Sequence, residues 1–167
     1  MQMSNSCSIK APRDVVFSAI LNPDILKDCV PGCTEMTGSP EEGFEAIVVQ
    51  KVGPVKATFK GAVHLSDMDA PNGVTLSGEG KGGAAGFAKG GATVRLEDGE
   101  DGTTVLHYEV EAKVGGKLAQ LGSRIIDGFA KKMADQFFSN FQQAIEGPPE
   151  ETQEETEKKG WLKRVTG

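Results

Sequence analysis

The sequence predicts an α+β domain in which a curved antiparallel sheet of about seven strands packs against one long C-terminal helix. Residues 34–114 alternate apolar and polar positions between closely spaced turn signals, which is typical of antiparallel strands. Residues 117–145 repeat apolar side chains mostly at four-residue steps, which indicates a long amphipathic helix. Two short helical stretches follow the first strand and complete the predicted order of elements.

Composition limits the classes of protein to be considered. At roughly 100–200 residues per domain, a chain of 167 residues is one domain. The 18 basic and 24 acidic residues give a net charge of -6 with no basic block, which excludes a nucleic-acid binder. The longest apolar runs, such as residues 46–49, are far shorter than the ~20 residues that span a bilayer. Residues 1–10 do not resemble a secretory signal, and an odd number of cysteines, 3, favours a reducing compartment. We therefore expect a cytoplasmic protein.

The N-terminal elements are a strand and two short helices. Alternation over residues 3–10 predicts the strand. Pro12 is tolerated in the first turn of a helix that runs to Leu21, because proline lacks an N–H that this turn does not use. A second helix over residues 24–29 ends at the Val-Pro-Gly sequence of residues 30–32.

The middle of the chain contains six predicted strands. Their connections are short and rich in Gly, Pro, Asn and Asp, so neighbouring strands should pair as antiparallel hairpins. The predicted strands are 34–38, 44–52, 55–66, 73–81, 87–97 and 103–114.

Alternation in two of these strands predicts one face against the helix and one face in solvent. Odd-numbered residues from Val55 to Leu65, and even-numbered residues from Leu106 to Val114, face the helix. The covered face carries unusually small residues: Ala57, Gly61, Gly78, Gly80, Ala88, Gly90 and Ala112. These residues either let the helix pack closely or leave a cavity.

One long helix is predicted over residues 117–145, with Gly122 on its apolar side as a point of close approach. Each glycine in a helix costs ~1 kcal/mol against alanine, so Gly128 also needs an explanation. Residues 1–146 form the predicted domain, residues 147–160 an acidic flexible linker, and residues 161–167 a short basic and apolar tail.

Two short sequences carry a resemblance to a known family. They are Asp-Cys-Val-Pro-Gly-Cys at 28–33 and Gly-Lys-Leu-Ala-Gln-Leu-Gly-Ser-Arg-Ile-Ile at 116–126, which we expect to open the last helix. Together with the order of elements they resemble the CoxG family of carbon monoxide dehydrogenase accessory proteins, over residues 3–145. The resemblance implies the helix-grip fold of the START-like superfamily (polyketide cyclase and lipid transport, SRPBCC).

The resemblance implies an accessory protein and not an enzyme. Such a protein is expected to recruit a molybdenum hydroxylase of the carbon monoxide dehydrogenase type to the inner face of the cytoplasmic membrane. No covalent cofactor is implied, and a quinone or another lipid is the expected ligand of a cavity between sheet and helix. Related hydroxylases act on several substrates, and the chain has no motif that identifies the partner's substrate.

An apolar cavity of ~300–1,000 Å³ would accommodate such a ligand. Tyr108 is the one inward residue with a hydroxyl, which could orient a ligand carbonyl or simply bond to the backbone. The candidate lining residues are Phe59, Leu65, Leu76, Phe87, Val94, Leu96, Tyr108, Val110, Leu121, Ile125, Phe129 and Met133.

Catalytic and metal sites find little support in the sequence. His64 and His107 fall on the solvent face, and no acidic or basic residue is placed inward for acid–base catalysis. Cys29 and Cys33, even with Cys7, fall short of the four ligands of structural zinc. The Gly-x-Gly-x-x-Gly sequence at 78–83 is followed by a strand and not a helix, which excludes a nucleotide-binding loop. No catalytic and no metal-binding residue is therefore assigned.

Two surface features are candidate partner or membrane contacts. Pro31 and Gly32 form a turn at the expected rim of the cavity. The tail residues Trp161, Leu162, Lys163 and Arg164 have the composition of a weak membrane anchor, or form an end without a role. Two other functions stay open at this point: a cyclase or hydratase that uses the same cavity, and an interaction module with a filled core.

Overall fold

The computed structural model describes residues 1–147 and confirms the predicted α+β architecture. Seven strands form one open antiparallel sheet in the order β1-β7-β6-β5-β4-β3-β2. The strands are β1 (Gln2–Ile9), β2 (Cys33–Ser39), β3 (Gly43–Val52), β4 (Val55–Asp69), β5 (Gly73–Lys81), β6 (Phe87–Asp98) and β7 (Thr104–Gly115). The helices are α1 (Arg13–Ile20), α2 (Pro23–Cys29) and α3 (Ser123–Glu146).

The hairpin connections alternate between the two ends of the sheet. Three of them, at residues 40–42, 70–72 and 99–103, lie at the end where β1 leads into α1 and α3 finishes. The β3–β4 turn, the β5–β6 turn and the link from β7 to α3 lie at the opposite end. Short connections thus produce the antiparallel register that alternation predicts, with each β4 residue from Val55 to Val63 paired to β3.

The prediction of one continuous helix from residue 117 is wrong at its start. The segment Gly116–Leu121 forms a 3₁₀ helix, and α3 begins only at Ser123. Gly122 separates the two with a φ of +89°, a left-handed conformation that glycine adopts without strain. A side chain at Gly122 would meet no atom within 4 Å, so this glycine serves the chain break and not close packing. Gly128 also has no neighbour within that distance, and the structure gives no packing reason for it.

The tightest packing surrounds the C-terminal half of α3. Phe141 is fully buried there, in one cluster with Ile9, Val16, Cys29 and Leu106. Several polar contacts secure the same half. The Lys10 backbone N–H donates to Glu146 Oε2 at 2.8 Å, and Asn140 Nδ2 donates to the Cys29 carbonyl at 3.0 Å.

The N-terminal half of α3 faces a cavity, so the helix is anchored at one end and borders open space at the other. Within residues 1–147, no helix is both long and apolar enough to cross a bilayer.

Candidate hydrophobic ligand site

A cavity of about 530 Å³ lies between the concave face of the sheet and α3. The helix contributes side chains on one face, the sheet contributes residues from β3 to β7, and α1, α2 and the following turn close one side. From α3 these are Ile126, Phe129, Ala130, Met133, Ala134, Phe137, Phe138 and Phe141. The volume lies in the range that small-molecule sites usually have.

Small residues on neighbouring strands leave this space open. Strand pairing places Gly80 beside Ala88, and the next inward row pairs Gly78 with Gly90 and Gly90 with Ala112. Gly80, Ala88 and Ala112 all border the cavity. A larger side chain at these positions would fill it, since inward side chains from adjacent strands stand side by side. The structure therefore contains the cavity alternative and not close packing of the helix.

Seven of the candidate lining residues border the cavity: Phe59, Leu76, Val94, Tyr108, Val110, Phe129 and Met133. The five others lie elsewhere. Leu65 and Leu96 pack in the apolar core. Phe87 is 43% exposed, and its ring lies against Gly115 on the other face of the sheet. In β6 the inward residues are even-numbered, beginning with Ala88, so Phe87 points outward.

Leu121 and Ile125 are displaced by the break at Gly122. Leu121 ends the 3₁₀ segment and Ile125 is 41% exposed beside the β3–β4 turn, whereas the neighbouring Ile126 borders the cavity. A continuous helix would have kept Leu118, Leu121 and Ile125 on one side, and the break changes that phase.

One entire wall of the cavity was not predicted from the sequence. Residues of α1, α2 and the following turn, together with inward residues of β3, line it: Ile20, Leu26, Val30, Pro31, Val48, Gln50 and Val52. Alternation in β3 would have identified the last three, because they share the parity of the buried Phe44. The wall from α1 and α2 has no local signal, since it depends on where these helices dock.

Two polar side chains border the cavity among otherwise apolar ones. Gln50 Nε2 donates to the Pro31 carbonyl and holds the turn after α2 against β3. Tyr108 stacks on Phe138 with ring centroids 4.2 Å apart. Burial, and then neighbouring Asp135 and Cys7, raise the pKa of the Tyr108 hydroxyl, while a hydrogen bond with Asn5 lowers it. Tyr108 is therefore neutral near pH 7.

The turn at Pro31 and Gly32 is fixed to the sheet. Pro31 borders the cavity, and the Val49 N–H donates to the Gly32 carbonyl at 2.9 Å. Gly32 has a φ of +80°, and a Cβ there would lie 2.1 Å from the Val49 carbonyl oxygen. Only glycine fits this close approach. The tail contacts predicted at residues 161–164 lie outside the described residues.

The other candidate chemical groups have structural surroundings. Cys29 is buried, and burial raises the pKa of its thiol to about 11, with a smaller contribution from Asp28. Cys33 Sγ lies 3.2 Å from the Glu35 carbonyl oxygen. In residues 1–147, no group of three His, Cys, Asp or Glu side chains could hold a metal ion.

Both histidines lie on the outer face, as predicted. His64 is exposed, and His107 Nε2 lies 2.7 Å from Glu97 Oε1. The glycine-rich sequence at 78–83 ends β5 and enters the turn to β6, and no helix N-terminus follows it. This geometry does not form a phosphate-binding loop.

A long helix held over an apolar cavity by a seven-stranded antiparallel sheet defines a START-like protein. Over residues 6–146 the sequence matches the carbon monoxide dehydrogenase CoxG family, and the chain belongs to this family of accessory proteins. A comparison with curated proteins found no match.

Solved structures support the same fold. A conserved protein from Geobacillus kaustophilus is 29% identical with a TM-score of 0.80, over 87% of this chain and 95% of that one. A START superfamily protein from Mycobacterium smegmatis is 12% identical with a TM-score of 0.65, over 87% and 97% of the two chains. A protein from Chromobacterium violaceum is 14% identical with a TM-score of 0.64, over 89% and 99%.

Proposed function

We propose that this chain is a non-catalytic accessory protein that holds an apolar ligand, a quinone, in the cavity between sheet and helix. It brings a molybdenum hydroxylase of the carbon monoxide dehydrogenase type to the inner face of the cytoplasmic membrane. The observation that carries the proposal is the cavity of about 530 Å³ with its almost wholly apolar lining. Membership of the CoxG family supports the partnership with the hydroxylase.

The chemistry of the lining favours a flat, apolar molecule with a few carbonyl oxygens. Phe137 and Phe138 contribute aromatic faces beside the Tyr108 ring, against which a quinone ring can stack. The Gln50 amide and the Tyr108 hydroxyl are the polar side chains within reach of the lining, and each can donate to a carbonyl. The aliphatic remainder of the cavity suits an isoprenoid chain.

The same lining argues against an acid–base enzyme of the cyclase or hydratase kind. Among the described residues, no Asp, Glu, His, Lys or Arg borders the cavity. General acid–base catalysis needs a group that titrates near the working pH, and the raised pKa of Tyr108 moves it further from that range.

Native mass spectrometry of protein purified from a quinone-producing host, followed by organic extraction, tests the ligand. We expect one quinone per chain in the wild type and loss of it in Ala88→Leu, which fills the cavity. Ala62→Leu is the matched control, because Ala62 lies on the outer face of the same sheet. An empty wild-type protein, or equal quinone content in both variants, contradicts the quinone site.

Co-purification with the host's molybdenum hydroxylase tests the partnership. Immobilised wild-type protein should retain the hydroxylase from a membrane-free extract, and it should transfer the hydroxylase to vesicles when both are present. Retention without any quinone reduces the chain to a recruitment module, and no retention contradicts the accessory role.

A further inference from the structure

Charge is divided between the two ends of the sheet. The three connections at the end where α3 finishes contain or adjoin eight acidic residues and no basic one within residues 40–43, 67–72 and 97–103. These are Glu41, Glu42, Asp67, Asp69, Glu97, Asp98, Glu100 and Asp101. We call this the acidic end.

The opposite end carries the reverse charge. Its connections, residues 51–56, 81–87 and 113–126, contain six basic residues and no acidic one. These are Lys51, Lys56, Lys81, Lys113, Lys117 and Arg124, and all six are exposed. Within the described residues only Lys81 among them has an ion pair, with Glu79 at 3.7 Å. We call this the basic end.

The basic end also exposes apolar groups. Ile125 is 41% exposed and lies against the β3–β4 turn, where a Cβ on Gly53 would be 3.5 Å from Ile125 Cγ2. Pro54 at the tip of that turn is exposed, and Leu121 packs beside it. Phe87, 43% exposed, stands on the neighbouring β5–β6 connection. Exposed apolar groups ringed by basic residues are typical of surfaces that lie on a membrane.

The cavity reaches the same end. Val52 precedes the β3–β4 turn, Leu118 belongs to the 3₁₀ segment, and Ile126 lies in the first turn of α3, and all three border the cavity. A lipid bilayer beneath the basic end would therefore lie next to the apolar interior.

We propose that the folded domain docks through its basic end on an anionic lipid bilayer, with Pro54, Leu121 and Ile125 entering the headgroup region and the acidic end directed away. Charge complementarity supports this occupant, because an anionic surface attracts the six bases and repels the opposite end. The inference rests on the membrane role under the proposed function and assigns that role to the domain, independently of the tail.

Tryptophan quenching by brominated lipid tests the orientation. The chain has 1 tryptophan, Trp161, so Trp161→Phe provides the background. Ile125→Trp probes the basic end and Met68→Trp the acidic end, at positions that are 41% and 44% exposed. On vesicles of phosphatidylglycerol and phosphatidylcholine, we expect strong quenching at position 125 and little at position 68. Equal quenching, or none at either position while the protein stays bound, overturns the proposal.

Charge reversal tests the electrostatic part. A base near an anionic surface contributes about fivefold to partition, so Lys56→Glu with Lys117→Glu should weaken vesicle binding by about 25-fold or more. The matched control is Lys10→Glu with Lys132→Glu, which changes the net charge equally away from the basic end. Equal loss in both pairs, or no vesicle binding by the wild type, overturns the proposal.

Two further readouts separate this inference from its rivals. Lys56 and Lys117 do not border the cavity, so the quinone content of that variant should equal that of the wild type. If the variant keeps vesicle binding but no longer retains the hydroxylase, the basic end is a protein interface and the inference fails. In that case the quinone and recruitment proposals still stand.

Discussion

At the scale of single residues, two glycines illustrate how conformation and space decide the effect of a side chain. Gly32 combines a φ of +80° with a Val49 carbonyl 2.1 Å from any added Cβ. We expect Gly32→Ala to lower the free energy of unfolding by ~2–4 kcal/mol, because the turn must move and the Val49 hydrogen bond is strained. Urea denaturation measures the change.

The control is Gly128→Ala, at a helical position where an added Cβ meets nothing within 4 Å. It should stabilise the protein by up to ~1 kcal/mol, since alanine has the higher helix propensity. Equal effects of the two substitutions would show that the turn at Gly32 is not constrained.

Cys29 makes stability depend on pH. Its folded-state pKa is raised to about 11 by burial, whereas an unfolded thiol titrates near ~8.5. The folded state therefore holds its proton more tightly, and the stabilisation is complete below the unfolded pKa and is lost as pH rises towards 11. We expect the free energy of unfolding to fall by ~2–3 kcal/mol more in the wild type than in Cys29→Ala between pH 8.5 and 11. A parallel pH profile in the two proteins would contradict the assignment.

At the scale of elements, α3 consists of two halves with different roles. Phe141 is fully buried in the core, while Phe129 is half-buried and faces the cavity. We expect Phe141→Ala to cost ~3–5 kcal/mol of unfolding free energy and Phe129→Ala only ~1–2 kcal/mol, because its ring already borders open space. Thermal and urea denaturation give these values. Quinone content should show the reverse order, with Phe129→Ala affected in a protein that remains folded.

The elements themselves were largely predictable, and the physical reason is local. Strands such as β4 and β7 alternate, and the turns between them are rich in Gly, Pro, Asn and Asp, so position and pairing follow from neighbouring residues. The break at Gly122 was not predictable from the apolar repeat, because Leu118, Leu121 and Ile125 continue the four-residue spacing across it. A glycine in an apolar stripe fits both close packing and a left-handed break.

At the scale of the whole molecule, the cavity links ligand binding to stability. A ligand that binds only the folded state at 100 times its Kd stabilises the protein by ~2.7 kcal/mol. Adding a short-chain quinone in detergent should therefore raise the Tm of the wild type and of Ala62→Leu, but not that of Ala88→Leu. Differential scanning calorimetry tests this, and an equal shift in all three would place the quinone outside the cavity.

The sequence by itself determined the order of elements, the antiparallel pairing, the family resemblance and about half of the cavity lining. Parity along a strand assigns residues such as Tyr108 and Val110 to the inner face without knowledge of the rest. Tertiary structure alone decided that α1, α2 and the turn at Pro31 form a wall, and that bases distant in sequence gather at the end opposite the acidic turns. Both depend on how elements dock and which turns share an end, and these are relations between distant segments that no local pattern contains.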